Sequence, residues 1–151
     1  MIRKIRPFLW FDGQAEDAMN HYLSIFKNSR ALSVNRMNGK VMSVTFELEG
    51  QEFMGLNAGP QFSFTEAISF FVDCDTQQEV DELWEKLSAG GEKSRCGWLK
   101  DKYGLSWQII PSALGKLMND PNPRKSNAVV QAMLGMNKIV IDDLKKAYNA
   151  A

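Results

Sequence analysis

Apolar residues at Ala15, Ala18, Met19, Tyr22 and Phe26 recur at the spacing of one helical face, which predicts an amphipathic helix ending near Lys27-Asn28. Glu16 and Asp17 fall in its first turn, where the helix dipole favours negative charge. Before it, residues 5–12 carry apolar side chains at successive positions, the pattern of a strand buried on both sides. After it, Asn38-Gly39 separates two alternating runs, 31–37 and 41–48, which predicts a hairpin. Met42, Val44, Phe46 and Leu48 form the greasy face of the second run, and Ser43, Thr45 and Glu47 the polar one. Glu49-Gly50 then turns the chain into a third strand, 52–57, closed by the loop Ala58-Gly59-Pro60.

The same plan returns further along. Residues 67–73 alternate as a strand, with Ile68, Phe70 and Val72 on one face and Ala67, Ser69 and Phe71 on the other. Thr76 and Glu79 have capping-box spacing, and Val80, Leu83, Trp84 and Leu87 make the apolar stripe of a helix stopped by Gly90-Gly91. Strands are expected at 93–99 and 105–110, joined by a turn at 101–104. Asp12 and Asp73, 61 positions apart, each close a first strand, and the same offset pairs Met19 with Val80, Tyr22 with Leu83 and Phe26 with Leu87. The pattern is that of a duplicated strand–helix–strand–strand–strand unit. Such a unit covers one sheet face with its helix and leaves the other free. Beyond Pro111 the chain turns helical: Asn122-Pro123 opens a helix that Gly135 ends, and Asp142 or Asp143 starts a last one carrying Leu144 and Tyr148.

Composition narrows the function classes. The 151 residues are one domain's worth, with 44% hydrophobic and 24% charged positions, ordinary for a globular chain. Eighteen basic residues balance eighteen acidic ones, so no net field draws the chain to nucleic acid or an anionic membrane. The four tryptophans read as core anchors, since no basic groove accompanies them. No apolar run spans a membrane, and no signal-peptide core follows the charged residues 1–6. Cys74 and Cys96 lack metal or disulfide-framework spacing, which fits a reducing, cytoplasmic setting. The one histidine, His21, lies on the first helix and reads as a surface or half-buried residue. No Gly-x-Gly occurs, so neither a dinucleotide fingerprint nor the S-adenosylmethionine turn of common methyltransferases is present. Cys96 beside Arg95 reads as a strand cysteine packed in the sheet rather than an activated thiol.

Four stretches carry a family resemblance: 7–16 running on to Phe26, 96–111, 66–69 and 131–134. Together they resemble the PhnB-like family, whose members are often labelled 3-demethylubiquinone-9 3-methyltransferase-like, within the vicinal oxygen chelate superfamily. The resemblance implies an α+β fold of paired βαβββ modules forming a curled mixed-sheet cup (the glyoxalase/bleomycin-resistance fold) with C-terminal helices. It implies one domain over 1–151, with modules at about 1–60 and 61–111 and a tail at 112–151. It also implies a homodimer. Enzymes of the superfamily usually hold a divalent metal through strand-borne His and Glu. Here Asp101-x-x-Gly104-x-x-x-Gln108 resembles the superfamily's Asp-x-x-Gly-x-x-x-Glu, so Gln108 stands where the glutamate is expected, and Pro7 and Ala67 where histidines are. Neither a metal nor another cofactor is therefore expected.

With the helices over the greasy faces, the cup lining is predicted to include Thr45, Glu47, Asn57, Ser69, Phe71, Trp98, Ser106 and Gln108. These small polar and aromatic groups suit a small organic ligand. No catalytic group stands out. Three readings stay open: a metal-free small-molecule binder, a superfamily enzyme with altered or no metal acting on an oxygen-rich metabolite, and a methyltransferase as the family label suggests.

Overall fold

The computed structural model describes residues 4–151, and the charged start at residues 1–3 lies outside them. The chain divides into two compact units, Met1–Phe64 and Thr65–Ala151. Unit 1 runs β1 (Phe8–Phe11), α1 (Ala15–Ile25), β2 (Ser29–Met37), β3 (Lys40–Leu48) and β4 (Gln51–Asn57). Its sheet has the order β1-β4-β3-β2, with β1 and β4 parallel and the other pairs antiparallel. The expected hairpin is present: Asn38 and Gly39 both take positive φ, the conformation that a two-residue turn between right-twisted strands requires. The α1 stripe of Ala15, Ala18, Met19 and Tyr22 is buried, as are Val44, Phe46 and Leu48 on β3. Tyr22 and Phe46 sit with ring centroids 6.1 Å apart, and Phe46 stacks on Phe53.

The first strand departs from expectation. It is four residues long and buried on one face only; Leu9 and Phe11 are buried, whereas Phe8 is 55% exposed. β1 is an edge strand, and the helix-side face is the one that collects the core, so residues 5–12 never become a central, doubly covered strand.

Unit 2 runs β5 (Ser69–Cys74), α2 (Gln77–Ser88), β6 (Glu92–Lys93), β7 (Trp98–Lys100), β8 (Ser106–Pro111), α3 (Ser112–Met118), α4 (Pro123–Leu134) and α5 (Ile141–Ala150). Its sheet order β5-β8-β7-β6 repeats that of unit 1, with the first pair again parallel. The duplication read from the 61-residue offset is therefore a duplication of topology. Thr76 caps α2 by accepting the Glu79 amide at 3.2 Å, and the Glu79 carboxylate accepts the Asp75 amide at 2.9 Å.

The expected strand over 93–99 is corrected to two short strands and a turn. Cys96 and Gly97 both take positive φ, and their amides donate to the carbonyls of Met136 and Asn137 at 2.8 Å. A side chain at Gly97 would meet the Ile110 side chain at 2.7 Å and the Ile109 carbonyl at 3.0 Å, so the close approach needs glycine. Cys96 is accordingly a half-buried turn residue and not a strand residue. The turn also fastens the C-terminal helices. Ile110, Leu114, Val129, Ile139 and Leu144 form one buried cluster, and the Gln77 side chain bonds the Ile139 carbonyl and the Ile141 amide.

Candidate functional site

Strand pairing fixes which side chains of unit 2 share a face, because residues directly opposite in a ladder project to the same side. Val72, Trp107, Ile109 and Leu99 belong to the face packed on α2. The opposite, open face carries two rows. Ser69 on β5, Ser106 on β8 and Lys100 on β7 are in register, and Phe71, Gln108 and Trp98 form the next row two residues along. The Gln108 amide nitrogen donates to the Ser69 hydroxyl at 2.9 Å, which fixes the amide's orientation. Phe71 is 54% exposed, while Gln108 and Trp98 are half-buried. Ser106 is 1% exposed, and its hydroxyl has no hydrogen-bond partner among the described residues.

At the end of the first row the Lys100 ammonium is ion-paired with Glu66, on the segment leading into β5. Their hydrogen bond lowers the Glu66 carboxyl below its ordinary range and raises the Lys100 ammonium above its own. Five of the sequence-predicted lining residues thus meet on one face: Ser69, Phe71, Trp98, Ser106 and Gln108. Strand alternation from Trp98 also places Lys100 on this face. Glu66 lies before the strand, and no periodicity points to it.

The three remaining predicted residues lie in unit 1. Thr45 and Glu47 project from the face of β3 opposite the buried Val44 and Phe46, Thr45 in register with Met54 and Glu47 with Glu52. Glu47 accepts from Arg30 at 2.8 Å. Asn57 is not brought together with them. It is in register with the buried Phe11, on the helix side of the sheet, where its side-chain oxygen accepts the Ala15 amide at 2.9 Å and its nitrogen donates to the Val41 carbonyl. A separate recess of about 440 Å³ in unit 1 is lined by Glu16, Asp17, Arg36 and Lys40, with Arg36 paired to Glu16 at 2.7 Å.

Among the described residues no three His, Cys, Asp or Glu side chains are grouped so as to hold a metal ion. His21 is half-buried on α1, its ring 5.8 Å from that of Tyr22. Cys74 is buried at the end of β5, and burial, reinforced by Glu79, Asp73 and Asp75, pushes its thiol up to about 12, far from a nucleophilic thiolate at neutral pH.

The repeated β-α-β-β-β unit, with an open sheet face bearing polar and aromatic side chains, is an architecture shared with PhnB-like proteins. The family model described as 3-demethylubiquinone-9 3-methyltransferase matches residues 3–110, and the chain belongs to that family. A PhnB protein from Bacillus cereus is 39% identical over 73% of this chain and 100% of its own, with a TM-score of 0.69. Protein PA1353 from Pseudomonas aeruginosa, 18% identical over 73% of this chain and 98% of its own, superposes with a TM-score of 0.60. The fosfomycin resistance protein FosX from Mesorhizobium loti shares the fold at 12% identity, over 71% of this chain and 90% of its own, with a TM-score of 0.52. No curated protein matches the chain significantly. Among the described residues no helix is long and apolar enough to cross a membrane.

Proposed function

We propose that the chain binds a small organic molecule, without a bound metal, on the open face of the unit 2 sheet. The observation that carries this is the Phe71–Gln108–Trp98 row, with the central amide already oriented by Ser69. Gln108 keeps its amide oxygen for a ligand donor, and two flanking rings offer apolar contact. Thr45 and Glu47 on the open face of unit 1 belong to the same reading as a second polar face.

The donor set does not fit a divalent metal. A neutral amide and two serine hydroxyls lie on this side of the sheet, and the nearby carboxylate of Glu66 is occupied by Lys100. A methyltransferase reading draws on the family's label alone. Neither sheet is the doubly wound parallel sheet that the common S-adenosylmethionine enzymes use. The proposal includes pairing of two copies and a reducing, cytoplasmic setting, the latter supported by the free thiols of Cys74 and Cys96.

The test is a thermal-shift screen of oxygenated and aromatic metabolites, S-adenosylmethionine included, on untagged protein first assayed for metals. Binding of a neutral or acidic metabolite is expected, with no stoichiometric zinc, iron, nickel or manganese. Gln108→Leu removes hydrogen bonds worth about 0.5–1.5 kcal/mol each, so affinity should fall about 2- to 13-fold per bond to the ligand, with a small loss of stability from the bond to Ser69. Equal affinity in the variant, or one metal equivalent lost on Gln108→Ala, refutes the reading.

A further inference from the structure

The open face of unit 2 holds two features that the Phe71–Gln108–Trp98 row leaves unused, and one of them selects for negative charge. One is the Lys100 ammonium, engaged by an exposed carboxylate from outside the sheet. The other is the buried Ser106 hydroxyl with no partner among the described residues. They are neighbours, in register across β7 and β8. We propose that this face takes a small aromatic carboxylate, which replaces Glu66 on Lys100, accepts the Ser106 hydroxyl, and lays its ring between Phe71 and Trp98 over Gln108. The inference rests on the binding face described above and adds the ligand's charge and class.

Three arguments converge. Exposed ion pairs hold weakly, and the Glu66 side chain keeps 60% of its surface in solvent, so an incoming carboxylate can displace it without breaking a buried contact. A buried hydroxyl left unbonded is costly, and a carboxylate admitted between Ser69 and Lys100 as the Glu66–Lys100 pair opens would supply its acceptor. The third argument is dimension. The two rows lie roughly 6.6–7 Å apart along the strands, about the length of a benzoate, and the backbones bearing Phe71 and Trp98 are separated by about two strand spacings, roughly 9–10 Å. A single ring fits there edgewise above the Gln108 amide.

The experiment compares benzoate with benzamide, its neutral isostere, by calorimetry on the full chain. Benzoate should bind about tenfold tighter than benzamide, the margin of one charge-assisted hydrogen bond. Lys100→Met should abolish that preference, and Glu66→Gln should tighten benzoate several-fold while leaving benzamide unchanged. Both substitutions are at partly exposed positions, and Glu66→Gln keeps the side chain's shape. If benzamide binds as well as benzoate, and Gln108→Leu weakens both, the binding face stands and the carboxylate inference falls. If benzoate fails to bind at millimolar concentration while neutral metabolites do, the outcome is the same. If nothing in the aromatic and oxygenated panel binds, both readings fall.

Discussion

Asp101 is 2% exposed and is held by three N–H donors. One carboxylate oxygen accepts the amides of Tyr103 and Leu105 at 2.9 and 3.0 Å, and the other accepts the Trp107 indole at 2.9 Å. The Asp-x-x-Gly part of the superfamily motif is thus explained by folding: the aspartate staples the β7–β8 turn, and Gly104 supplies its positive φ. Asp101→Asn keeps one acceptor oxygen but turns an amide N–H toward the indole N–H, two donors face to face. It should cost about 1–3 kcal/mol, read as a melting point lower by about 2–4 °C per kcal/mol, with metal content unaltered. A variant within 0.5 kcal/mol of the parent would show that the turn does not depend on this carboxylate. The motif was legible in the sequence, and so was the direction in which Gln108 points. The division of labour within the motif was not, because a carboxylate that closes a turn and one that faces a ligand look alike in one dimension.

At the level of elements, periodicity located helices and hairpins well because burial of one face dictates it. It failed where an edge or a turn overrode the pattern. Residues 5–12 look doubly buried, yet β1 sits at an edge, and the run 93–99 is broken by two left-handed residues that serve the C-terminal helices. Asn57 lies on the helix side for a related reason: its partner is distant in sequence. Gln14, at the N-cap of α1, makes no side-chain capping bond; Asn57, reaching across from β4, accepts the first helical amide instead. Asn57→Ala should therefore destabilise the fold by about 0.5–2 kcal/mol, measured by chemical denaturation, and leave ligand affinity unchanged. A loss of affinity at undiminished stability would return Asn57 to the ligand site.

On the scale of the whole molecule, among the described residues each sheet ends in two edge strands, β1 and β2 in unit 1 and β5 and β6 in unit 2. Open edges invite pairing with another chain unless they are covered, and apolar side chains here make covering favourable. Phe8 on β1 is 55% exposed, and Ile68 just before β5 is 69% exposed. Full burial of either contributes roughly 1.5–3 kcal/mol, and a stable pair of copies buries about 1,600 Å² in all. The proposed dimer should sediment at twice the chain mass at micromolar concentration, and its melting point should rise with protein concentration, since association stabilises the folded state by mass action. Placing charge at both positions, Phe8→Glu with Ile68→Glu, removes that burial and sets like charges against the covering surface. The dissociation constant should then rise by roughly 100-fold or more, toward monomer, with circular dichroism unchanged because neither side chain belongs to a core. A wild-type chain that sediments only as monomer, with a melting point independent of concentration, would mean that these edges stay open in solution.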